Sequence, residues 1–135
     1  MQSLPLSSDS LLVRTSRSMS AEWRELLAVI GRENADGFRA YVQPVDHRRW
    51  YGQAADAIRA AVPPSEAAVL FVADETTLGS PDLPVLAIQL NGDESPFRAV
   101  AKELWSVENN LNLANMDWHE FADAVDDEGI YRGLT

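Results

Sequence analysis

Apolar residues recur along the chain in two periods, and their alternation lays out the elements. "SLLVRT" (10–15) is a short apolar run ending in polar residues, which predicts a first strand. In "SAEWRELLAVIGREN" (20–34), Trp23, Leu26, Leu27 and Ile30 fall at i, i+3, i+4 and i+7, one apolar face of a helix. Ser20 is placed to cap that helix, Glu22 and Glu25 suit its positive end, and the stretch from Asn34 to Gly37 ends it. "FRAYVQPV" (38–45) sets Phe38, Ala40 and Val42 against Arg39, Tyr41 and Gln43. It predicts a second strand, which Pro44 shortens or confines to a sheet edge. "DHRRWYG" reads as a loop. "QAADAIRAAV" (53–62) is a short helix with Ala54, Ala57, Ile58 and Ala61 on one face, small enough to lie close to a sheet, and Pro63-Pro64 stops it.

"AAVLFVAD" (67–74) is continuously apolar, the mark of a strand buried on both faces. "ETTLGSPDLP" is a polar loop. "PVLAIQL" (84–90), the Asn91-Gly92 turn and "FRAVA" (97–101) predict a hairpin. Two helices, 102–114 and 117–126, finish the chain. The order β-α-β-α-β-β-β-α-α predicts a single α/β domain over residues 1–135, with a mixed sheet of about five strands, flanking helices and a C-terminal helix pair. Trp23, Phe71 and Leu111 are expected in the core.

The least regular stretch is "ELWSVENNLNLANMDWHEF" (103–121). It places Asn109, Asn110, Asn112 and Asn115 in a helical pattern, although Asn is a poor helix former and its buried amide must be hydrogen-bonded. Leu104, Val107, Leu111, Ala114 and Trp118 make the core stripe. Trp105, Glu108, Asn109, Asn112 and Asn115 make the stripe beside it. Asn115 is expected to end the helix in a left-handed conformation, and Asp117 with Glu120 forms a capping box for the next. Two readings fit Asn109 and Asn112. Either they hydrogen-bond backbone at a sheet edge or loop, or they join Trp105 and Glu108 in a polar recognition patch.

Charge narrows the partner. The net charge is −10, and residues 69–135, with thirteen acids against three bases, supply all of it, while residues 1–68 balance at eight of each. Such a surface repels nucleic acid and anionic lipid but admits a basic protein or a cation. No apolar run approaches the ~20 residues that cross a bilayer. The opening "MQSLPLSSDSLLVRT" has no basic n-region or long apolar h-region, which predicts a cytoplasmic chain. The absence of cysteine removes disulfides, thiolate metal sites and cysteine nucleophiles. Ten arginines against the single Lys102 suggest a GC-rich genome.

Catalytic motifs are missing. There is no GxGxxG, P-loop or GxSxG, and His47 and His119 have no HxxxH or HExxH partner. His47, beside Asp46, is an isolated loop histidine, and His119 is expected at the surface. "DAVDDEGIYRG" (123–133) looks like part of an EF-hand loop. With Gly129 sixth, however, Ala124 and Thr135 occupy the first and twelfth positions, where an acid and a bidentate Glu are needed. Gly129 is expected instead to cap the last helix. No metal, cofactor or catalytic residue is assigned. Asp74, Glu75, Thr76 and Thr77 leave a buried strand, where open α/β sheets gather ligand-binding residues.

"ELWSVENNLNLANMDWHEFADAVDDEGIYRG" is similar to the C-terminal part of a family of small actinobacterial proteins known only as a domain of unknown function. "DSLLVRT", "GFRAYV", "LFVADETTL" and "PVLAIQL" resemble its other segments. The resemblance implies family membership over almost the whole chain and carries over no functional residue. The residues themselves point first to a non-enzymatic acidic protein-binding module of immunity-protein or antitoxin type, facing a basic protein. Its expected surface is Trp105, Glu108, Asn109, Asn112, Asp123, Asp126, Asp127 and Glu128. The alternative is a small enzyme or ligand-binding domain built on Asp74–Thr77.

Overall fold

The computed structural model describes residues 3–133. Six strands form one mixed sheet in the order β2-β1-β3-β4-β5-β6. Strands β1 (Ser10–Arg14), β2 (Val42–Val45) and β3 (Val69–Ala73) run parallel. Strand β4 (Pro84–Gln89) is antiparallel to β3 and to β5 (Phe97–Val100), and β6 (Ile130–Tyr131) runs parallel to β5. All five residues of β3 are buried, as its unbroken apolar run requires of a central strand covered on both sides.

The chain winds from β1 through α1 (Ser20–Ile30) to β2 on one side, then through α2 (Ala55–Ala60) to β3 on the other. Right-handed crossovers in opposite directions put the two helices on opposite faces. Trp23, Leu26 and Ile30 of α1 pack with Leu12, Phe71 and Val85, together with α4 (Leu104–Asn112) and α5 (Trp118–Ala122). Ile58 of α2 packs with Leu11, Val13, Leu70 and Val72 on the other face, beside Leu4 and Trp50. Trp23, Phe71 and Leu111 are all core residues.

The structure corrects several local expectations. The second strand is only four residues long, although it is the edge strand that Pro44 suits. Residues 38–41 leave the ladder because the Tyr41 N–H donates to a side chain, Glu108 Oε1, at 2.7 Å. Met19, at φ 70°, precedes α1, and the Ser20 hydroxyl accepts from Arg14 Nη2 instead of capping the helix. In α2, Ala54 and Ala57 are exposed, and Ala55 and Ala61 accompany Ile58 toward the sheet. The polar loop after β3 begins with a single helical turn, α3 (Glu75–Leu78).

Helix α4 ends at Asn112. The left-handed residue that stops it is Ala114 (φ 57°), not Asn115. The Asn115 N–H donates to the Asn110 carbonyl at 2.9 Å and the Ala114 N–H to the Leu111 carbonyl at 3.2 Å, the paired bonds of a Schellman stop. The Asp117 N–H donates to Glu120 Oε2 at 2.7 Å, as the capping-box spacing predicts. Helix α5 ends at Ala122, so Gly129 (φ 79°) caps no helix and instead turns the chain into β6.

Candidate functional site

Glu108 is 7% exposed, and its carboxylate is filled from the protein interior. Oε1 accepts from the Tyr41 N–H at 2.7 Å and from Asn109 Nδ2 at 3.0 Å, and Oε2 accepts from Asn112 Nδ2 at 3.0 Å. The same amides reach further. Asn109 Nδ2 donates to the Arg39 carbonyl, and Asn112 Nδ2 to Ser10 Oγ at the start of β1. Asn112 Oδ1 takes the Ala68 N–H at 2.8 Å, just before β3. The amides of α4 thus meet backbone and a buried acid, and they tie the helix to segment 39–41 and to two strand starts. Asn110 donates back to the Ser106 carbonyl of its own helix.

Trp105 is half-buried and stacks on Phe38, with ring centroids 5.2 Å apart and planes 14° from parallel. Phe38 is 47% exposed, and Tyr41 is 45% exposed beneath the Arg39 guanidinium. Segment 38–41 therefore lays an aromatic platform on the surface. The Glu108–Asn109 hydrogen bonds beneath it fix its backbone. Strand-like alternation points Phe38 inward and Tyr41 outward, and both lie outside the surface expected from sequence. Three aromatics in the short stretches "GFRAYV" and "ELW" are the signal that marks them.

The four acids of residues 123–128 differ among themselves. Asp123 and Asp127 are exposed, and their carboxylates make no hydrogen bond or ion pair among the described residues. Asp126 staples a turn, accepting from the Glu128 and Ile130 N–H groups and from Arg132 Nε at 2.7 Å. The hydrogen bond from Arg132 and those from the two N–H groups hold its carboxyl below the ordinary range. Arg132 also pairs with Asp82 and lies 3.9 Å from Glu128. No hydrogen bond or ion pair among the described residues joins this turn to Trp105, Glu108, Asn109 or Asn112.

At the exit of β3, Asp74 caps α3. Its Oδ1 accepts from the Thr77 N–H, and Thr77 Oγ1 accepts from the Asp74 N–H in return. Arg98 grips both carboxylate oxygens, at 3.0 and 2.7 Å. Burial pushes the Asp74 carboxyl up, but the Arg98 and Thr77 hydrogen bonds together outweigh it and hold the group below its usual value. Thr77 is fully buried, while Glu75 and Thr76 face solvent. The two exposed residues and Asp74 line an open cleft of about 360 Å³ with Thr15, Arg17, Gly52 and Gln53. The cleft opens at the carboxyl ends of β1 and β3, where the winding direction reverses, the place at which open α/β sheets bind ligands.

His47 caps a short 3-10 turn over Arg48–Trp50, its Nδ1 accepting from the Arg49 N–H, and exposed His119 pairs with Glu94 at 2.7 Å. No group of three or more His, Asp or Glu side chains among the described residues is placed to hold a metal ion, and no described helix is long and apolar enough to cross a membrane.

Two comparisons bear on identity. A family model described as a domain of unknown function, DUF6924, matches residues 9–134. No curated protein matches the chain significantly.

Proposed function

The chain belongs to the DUF6924 family, a domain of unknown function, and from its own surface we propose that it is an acidic protein-binding module whose partner presents a basic face. The observation that carries this reading is the stacked, part-exposed Phe38–Trp105 pair. Rigid aromatics bury large area at small entropic loss, which is why they recur as interface anchors. The buried Glu108–Asn109 hydrogen bonds support it by holding segment 39–41 before any partner arrives, which lowers the ordering needed on binding. The unpaired side of edge strand β2, next along the chain, adds a row of backbone groups.

Net charge −10 favours a basic partner and speeds encounter with it. A protein that masks a basic toxin, as an immunity protein or antitoxin does, fits this size, charge and want of catalytic motif. The free carboxylates of Asp123 and Asp127 are its steering groups. Asp126 and Glu128 are tied to Arg132, and Glu108, Asn109 and Asn112 act from beneath the surface. The arginine-rich, cysteine-free composition goes with an actinobacterial, cytosolic source. Immobilised wild-type chain should capture a basic protein from an extract of the source organism, and Phe38→Ala chain should lose it. Equal capture by both would overturn the platform reading.

A second reading rests on the cleft at the ends of β1 and β3: a ligand-binding domain that uses Glu75 and Thr76 of the strand exit together with residues the chain brings from the loop after β1 and from the loop before α2. Binding of a small polar molecule that shifts Glu75 and Gly52 amide resonances would support it.

A further inference from the structure

We propose that the cleft at the carboxyl ends of β1 and β3 takes a small zwitterion of the α-amino acid class, with its carboxylate on Arg17 and its ammonium on Glu75. The inference rests on the ligand-binding reading and adds the chemistry of the ligand. The Arg17 guanidinium lies along Gly52, so closely that a Cβ built on that residue would fall 2.2 Å from Nη2. Gly52 also holds φ 77°, and its N–H donates to the Thr15 carbonyl at 2.8 Å. The positive φ favours glycine there, and a side chain would also make the flexible Arg17 guanidinium swing away from where it now lies.

Although so placed, the guanidinium makes no hydrogen bond or ion pair among the described residues. Glu75 lines the same cleft, yet it does not close on Arg17's guanidinium. Its Oε1 is held by the backbone N–H of Arg17 at 2.9 Å, leaving Oε2 free. The third charge on the wall, Asp74, is neutralised by Arg98. The cleft therefore carries one unanswered positive group and one carboxylate with an open edge.

A simple anion would meet Arg17 but be repelled by Glu75, and a simple cation would meet the reverse. A molecule with both charges answers both, its carboxylate matching the planar fork of the guanidinium. The hydroxyls of Thr15 and Thr76 and the amide of Gln53 are left for the ligand's remaining polar atoms. Because the cleft is open, affinity on the order of millimolar is expected.

The test is an NMR titration of the isotope-labelled full chain with each of the twenty free L-amino acids, and separately with acetate, methylammonium and inorganic phosphate. At least one amino acid should shift the Arg17, Gly52 and Glu75 amides in a saturable way, with acetate and methylammonium at least about tenfold weaker. Arg17→Gln and Glu75→Gln should each weaken that amino acid about tenfold without changing the melting temperature. Both side chains are exposed, and the amide introduced by Glu75→Gln keeps an oxygen to accept the Arg17 N–H. If acetate or phosphate saturates the same amides as tightly as any amino acid, or Glu75→Gln leaves binding unchanged, the zwitterion is wrong and the ligand-binding reading survives. If no probe moves these amides, both fall.

Discussion

Asn112 joins Glu108 to the sheet: its Nδ2 donates to Glu108 Oε2 at 3.0 Å while its Oδ1 takes the Ala68 N–H at 2.8 Å. A buried acid is answered by amide and backbone donors, with no cation among the described residues in its hydrogen-bond shell. The arrangement has a direct consequence for substitution. Both Glu108 oxygens accept, so Glu108→Gln turns one acceptor into a donor that faces another N–H. Chemical denaturation should show a loss of about 1–3 kcal/mol, the range for stranding a buried polar group. A double-mutant cycle of Glu108→Ala with Asn112→Ala should give a coupling above about 0.5 kcal/mol. Additive losses would mean that the two side chains do not support one another.

Ala114 sits at φ 57°, where an alanine Cβ crowds the backbone and glycine does not. Ala114→Gly should raise stability by up to about 1 kcal/mol, because strain relief exceeds the added freedom of the unfolded chain. A measured loss would show that the left-handed stop is wrongly placed.

Phe71 is fully buried at the centre of β3. Phe71→Ala should cost about 3–5 kcal/mol, the usual range for emptying an aromatic site in a core. Phe38→Ala, on the half-exposed platform, should cost below about 1 kcal/mol, and the contrast separates packing from surface.

Asp74 predicts an acid limb. Its folded-state pKa lies below the ordinary carboxylate value, so its stabilising contribution is fully present above that unfolded value and is lost as pH falls through the lower, folded one. Denaturation between about pH 5 and about pH 2 should find Asp74→Asn less stable than wild type at the upper end, with the difference closing at the lower end. A gap that stays constant across the series would assign the effect to packing instead of charge.

Much of the fold was legible because burial writes itself into local pattern. Val69–Ala73 is apolar without a break, and Trp23, Leu26 and Ile30 repeat at helical spacing. What failed depended on distant partners. Phe38, Ala40 and Val42 alternate like a strand, but Glu108, far along the chain, draws off the Tyr41 N–H. Strand β6 is two residues long, too short for any period to show, and α3 is one turn whose stop and start are both in polar sequence. The strand exit at Asp74 was visible as polar residues after an apolar run. Its cleft was not, since Arg17 and Gly52 come to it only through the order β2-β1-β3.

The central claim, a basic partner held on the Phe38–Trp105 platform, is tested most directly by association and dissociation rates of the captured partner across a salt series. Three chains are compared: wild type, Phe38→Ala, and Asp123→Asn with Asp127→Asn. Asp126 is left intact because it staples its turn, so neutralising it would disturb structure as well as charge. Phe38→Ala should speed dissociation at least about tenfold with association nearly unchanged, as loss of an aromatic anchor does. The neutralised pair should slow association, most at low salt, and leave dissociation alone. A partner whose rates ignore Phe38, the two carboxylates and salt would contradict the account.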